Sequence, residues 1–159
     1  MSTPDRAMTA WAAACAEHAL ASFATLATDG PAAQAISTAR SWAAGATTTD
    51  ACREAAVEAQ RSASDAQQAG YLALATAIRS ASAAAGSVDD SSLATDAAGL
   101  GVTAVELNSA ACELASMRAA ERRWQWAQLG PDYRAQVFAS EPPLPAPAAC
   151  STPEVAGLR

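Results

Sequence analysis

Residues 119–131, Ala119-Ala120-Glu121-Arg122-Arg123-Trp124-Gln125-Trp126-Ala127-Gln128-Leu129-Gly130-Pro131, read as one helix with its own stop. Gly130 can close a helix and Pro131 can open the next, because proline fits a first helical position and glycine a position past the end. At 3.6 residues per turn, Leu114, Met117, Glu121, Trp124, Gln125 and Gln128 share one face. That face should look into a bundle, so Glu121 and Gln125 are expected as polar groups among apolar ones, beside a large aromatic ring. The structural reading is that they satisfy each other or a nearby arginine. The functional reading is a buried carboxylate and amide that hold a ligand or a partner's cation.

Outward from this stretch the chain is built of small residues. Roughly three in ten residues are alanine, no lysine occurs, and only 5% are aromatic. Alanine is the best helix former and a poor core filler. Helix backbones must therefore approach closely, with a few large side chains filling the gaps. No segment alternates as a strand would. The expectation is all-α: a single alanine-rich bundle of five to seven helices over residues 4–138, with a flexible Pro-rich tail over 139–159.

Upstream, Thr3 and Pro4 read as the start of a helix running to Thr28, with Met8, Trp11, Cys15, Ala19 and Leu26 on one stripe. Asp29-Gly30-Pro31 breaks it. A second helix follows over Ala32 to Ala44, closed by Gly45. Thr47 and Asp50 have capping-box spacing before a third helix to Gln68. Its inner face is small throughout (Cys52, Ala55, Ala56, Ala59, Ala63, Ala66), which predicts a central position, while Glu54, Glu58 and Arg61 read as a solvated face. A fourth helix over Tyr71 to Ala85 should turn Tyr71, Leu74, Ala75, Ile78 and Ser82 inward. A fifth over Ser91 to Leu107 carries Leu93, Asp96, Leu100 and Leu107 on one stripe. Asp96 is thus a second carboxylate expected inside. Downstream, Pro131 to Phe138 can form a short closing helix carrying Tyr133.

Charge and motifs narrow the function classes. The formal net charge is −6 and no basic block occurs, so nucleic acid and anionic membranes are not expected partners. No apolar run is long enough for a membrane span and the first residues lack a signal-peptide pattern, which predicts a cytoplasmic protein. The four cysteines, Cys15, Cys52, Cys112 and Cys150, are scattered and the chain has one histidine, so free thiols, no metal and no cofactor are expected. No phosphate-binding loop or nucleophile elbow is present.

The ordered segments Trp11-Ala12-Ala13-Ala14-Cys15-Ala16-Glu17, Ala39-Arg40-Ser41-Trp42-Ala43-Ala44-Gly45 and Glu121-Arg122-Arg123-Trp124-Gln125, with Leu129 and a following turn, resemble the Imm-5-like putative immunity proteins over roughly residues 7 to 135. The resemblance implies an all-helical bacterial domain that neutralises a toxin. Two functions follow as expectations. One is an immunity-type binding protein whose acidic balance suits a basic partner. The other is a small cofactor-independent enzyme or ligand-binding protein acting on an apolar metabolite of a biosynthetic pathway, by isomerisation, cyclisation or dehydration. For the enzyme, the catalytic candidates are Asp96, Glu121 and His18, histidine being the residue type that titrates near neutrality. The ligand-binding candidates are Trp11, Trp42, Tyr71, Trp124 and Gln125, whose aromatic faces can stabilise cations. The partner is then a protein toxin or a small apolar metabolite, with a homodimer left open.

Overall fold

The computed structural model describes residues 5–23 and 30–138. They form seven helices and no strand: α1 (Arg6–Ala21), α2 (Pro31–Ala43), α3 (Thr49–Gln68), α4 (Leu72–Gly86), α5 (Ser92–Leu107), α6 (Leu114–Gln128) and α7 (Pro131–Val137). The expected all-α bundle is the fold.

Local chemistry sets most helix ends. Asp5 caps α1, its Oδ1 accepting from the Ala7 and Met8 amides at 2.9 and 3.3 Å. Thr3 and Pro4, expected in that role, lie outside the described residues, as do the final residues of the expected run to Thr28. Thr48, not Thr47, caps α3 by accepting from the Ala51 amide. Pro31 and Pro131 occupy the first turns of α2 and α7. Gly45 and Gly70 close α2 and α3 with φ of 78° and 88°, a conformation open to glycine at no steric cost.

The core is mostly methyl groups. Nineteen buried alanines line the helix contacts, and Met8, Trp11, Leu20, Phe23, Ile36 and Ile78 fill the spaces between them. The centre is α4, which packs on α1, α2, α3 and α5. The third helix, expected there, sits on the flank against α2 and α4. Its small face serves close approach to α4 rather than enclosure. Serines on α4 reach backbone carbonyls across these short distances: Ser80 Oγ donates to Ala97 O at 2.7 Å and Ser82 Oγ to Ala56 O at 2.8 Å. Ser87 Oγ lies 2.9 Å from Thr9 Oγ1 on α1. A smaller cluster of Trp42, Cys52 and Val88 stands apart from the main core.

Several residues expected inside are not. Tyr71 is 58% exposed and Leu107 47%. Leu114 and Met117 are also exposed, and Asp96 is exposed on α5. The inward face of α5 is Ala94, Ala97, Ala98, Gly101, Val102, Ala104 and Val105. Leu93 and Leu100 lie half-buried on its flank, where long side chains can still reach apolar surface.

Candidate functional site

The helix that carries the organising stretch, α6, joins the bundle in an unusual way. It packs mainly on α5 and touches α1, and its only buried residues are Glu121 and Gln125. These two are four apart, one above the other on a helix face. Gln125 is fully buried and every part of its amide is used. Its Nε2 donates to Ala98 O of α5 at 2.9 Å and to Glu121 Oε1 at 3.0 Å. Its Oε1 accepts from Arg122 Nη1 at 3.2 Å. Its backbone carbonyl accepts from Trp11 Nε1 of α1 at 2.9 Å. Gly101 lies beside this contact: a Cβ there would stand 3.7 Å from Gln125 Nε2 and 3.5 Å from Ala19 Cβ, at ordinary van der Waals distance.

Glu121 turns its second oxygen to α1. Oε2 lies 3.2 Å from His18 Nε2, with the glutamate side chain 3% exposed and the histidine side chain 42%. The His18 ring stacks on Trp124, centroids 3.8 Å apart and planes 12° from parallel. Trp124 is itself half-buried. The result is a ledge: two flat rings at the surface, held from behind by a buried carboxylate.

Electrostatics follow from the burial. Desolvation raises the Glu121 carboxyl above its ordinary pKa, against the opposing pull of His18, the Gln125 amide and Arg122. Burial pushes the Cys15 thiol well up, and the Glu121 charge adds to it, so Cys15 is an inert thiol. Burial lowers the Arg122 guanidinium, whose carbon sits 4.3 Å from the centre of the Phe138 ring.

The C-terminal end of this helix is closed by α7. Arg134 Nε donates to Trp126 O at 3.1 Å and Leu129 O at 2.9 Å, and its guanidinium lies 3.8 Å above the Trp126 ring. Free carbonyls at a helix end are thereby satisfied by a cation. Trp126 Nε1 is buried and meets no acceptor among the described residues. The neighbouring Asp5 carboxylate, at the start of α1, raises the Tyr133 phenol's pKa.

The candidates therefore divide. His18, Glu121, Trp124, Gln125 and Trp11 come together. Asp96 does not: its expected place in a shared interior with Glu121 is corrected, because the inward face of α5 is its alanine and glycine side. Trp42 is buried with Cys52 and Val88, its Nε1 donating to Thr49 Oγ1 at 3.1 Å and Arg6 standing over its ring. Tyr71 lines an open apolar groove with Phe23, Leu72 and Leu107 at another part of the surface. Arg122 was not singled out by the sequence reading, though its place three residues before Gln125 puts it on the adjoining face. The nearby arginine expected at this face is Arg122; Arg40, Arg79 and Arg118 act elsewhere, on Glu17, Gln67 and Glu106. Among the described residues no three His, Cys, Asp or Glu side chains gather where a metal ion could sit, and no helix is long and apolar enough to cross a membrane.

A family model described as Imm-5 like putative immunity protein matches residues 2–132. No curated protein and no solved structure matches the chain.

Proposed function

This chain belongs to the Imm-5-like putative immunity protein family, and on that premise we propose that it is a binding protein that occupies and neutralises a protein toxin in the cytoplasm. One observation supports binding over turnover. The polar groups of the candidate site are spent on one another, and what the site offers outward is a rigid aromatic ledge. Gln125 has no unused donor or acceptor, and Glu121 is engaged on both oxygens. A catalytic carboxylate needs an open approach for its substrate. The stacked His18 and Trp124 instead suit recognition, since rigid aromatic side chains lose little entropy when a partner covers them.

The reading as an enzyme on an apolar metabolite required two interior carboxylates, and Asp96 does not supply the second. The test is co-expression of the chain with the protein encoded by the neighbouring gene, assayed first for toxicity on its own. The expected result is restored growth and a stable complex that co-purifies. Trp124→Ala should weaken that complex by about 30-fold, the loss typical of a tryptophan hot spot. Unaltered toxicity with no complex would sink the proposal.

A further inference from the structure

Between the outer faces of α2 and α3 runs an open groove of about 870 Å³. Its α3 wall carries Glu54 and Glu58, its α2 wall carries Gln34 and Ser37, Thr47 lies at the turn between the helices, and Ala55 is on the floor. No lining residue is a cation. Glu58 is paired with Arg61, but both side chains are more than half exposed, and such surface pairs are weak enough to be exchanged for a better partner. Glu54 meets no cation among the described residues.

The charge of the molecule is divided in the same sense. Residues 49–107 carry eight carboxylates against three arginines, whereas residues 114–137 carry four arginines against two carboxylates. A cation approaching the chain is therefore drawn to the α3–α5 side.

We propose that this groove receives an arginine- or lysine-bearing segment of the chain's protein partner. The inference rests on the immunity-type reading and adds to it a second contact surface, apart from the His18 and Trp124 ledge, and the chemistry of the partner segment. The groove fits such a side chain along its whole length. Alanine methyls can cover the aliphatic stem, while the head group meets carboxylates on one wall and amide and hydroxyl oxygens on the other. Gln34 already donates its Nε2 to Thr38 Oγ1 at 3.2 Å, which leaves its carbonyl oxygen as the acceptor.

The first test titrates a hexa-arginine peptide into the full-length, 15N-labelled chain at low salt. Amide shifts should cluster on residues 34, 37, 47, 54 and 58. The double variant Glu54→Gln/Glu58→Gln should bind about three- to tenfold more weakly, whereas Asp96→Asn/Asp132→Asn, with the same change in net charge on α5 and α7, away from the groove, should bind within about twofold of the parent. Equal weakening by both pairs would reduce the effect to general acidity and overturn the proposal. So would shifts centred elsewhere, or self-association of the chain abolished by the Glu54/Glu58 changes, since the occupant would then be a second copy. The second test uses co-expression with the toxin. Glu54→Arg should lose protection at an unchanged melting temperature. A Glu54→Arg/Glu58→Arg variant that still protects would overturn the groove and leave the immunity reading standing. A parent chain that never protects would overturn that reading, with the peptide result still decided by its own titration.

Discussion

The α3–α4 seam and the α6 seam solve the same packing problem with opposite materials. Between α3 and α4 the buried side chains are small, Ala59 and Ala63 of α3 and Ala81 of α4 all being at 0% exposure, and the backbones come close enough for Ser82 Oγ to reach Ala56 O. Between α6 and its neighbours, an amide and a carboxylate replace the methyl groups, and each must be satisfied by a named partner. The apolar seam gains from area alone and is indifferent to which methyl touches which. The polar seam has only the surplus left after desolvation, so it depends on geometry and on proton count. Its apolar contribution is limited to the partly buried Trp124 and Trp126, because Leu114 and Met117 stay exposed.

The largest effect should come from Gln125→Ala. It leaves one Glu121 oxygen without its donor, removes the bond to Ala98 O and leaves a hole, at a cost of about 2–4 kcal/mol in urea unfolding. A loss under about 1 kcal/mol would mean that α6 is held by something other than this amide. Next is Ala59→Leu in the methyl seam, where overpacking should cost about 1–3 kcal/mol. An unchanged melting temperature would show that the seam has slack.

Glu121→Gln should separate the two seams by pH. Burial raises the folded-state pKa of Glu121, so its contribution is fully present below the unfolded carboxylate value and is lost as pH rises through the folded one. Thermal unfolding of parent and variant should therefore be closest near about pH 4, with the variant gaining on the parent toward about pH 7. The reverse slope would mean that the His18 charge outweighs desolvation. The smallest effect belongs to Gly101→Ala. The added methyl would meet only ordinary contacts. The better helix former should offset them, giving a neutral change or a gain of up to about 1 kcal/mol. A marked loss would show that the polar seam is as tight as the methyl one.

Which parts of this were legible in the sequence depends on what fills the core. Helix ends written in glycine and proline are readable to within a residue or two, as at Gly45, Pro31 and Pro131, because those residues act locally. Glu121 and Gln125 were placed inside correctly by their spacing, and Trp124 beside them. The fifth helix was misphased. Its leucines read as a core stripe, which carries Asp96 inward with them. In a chain whose buried residue is alanine, the large apolar side chains mark the flank, and the true floor lies about one residue, or 100° of helix, away. Ala94, Ala97, Ala98 and Gly101 gave no amphipathic signal by which to see this. The approach of His18 to Glu121 was beyond reach for a different reason: it depends on the crossing of α1 and α6, separated by over a hundred residues.

The serines of α4 bear on a difficulty that alanine creates. Two methyl-studded cylinders can slide along each other by a full turn, about 5.4 Å, and find nearly the same fit. Such a bundle risks being many near-equal alignments rather than one. Ser80, Ser82 and Ser87 each reach a single acceptor on a different neighbour, α5, α3 and α1. Displace α5 or α3 by a turn and a serine hydroxyl loses its cross-helix carbonyl, while Ser87, just past the end of α4, would fall back on Ala84 O alone. The three act as locating pins in a smooth mechanism. They add little to how tightly the helices hold, and they decide which of the possible alignments is the native one.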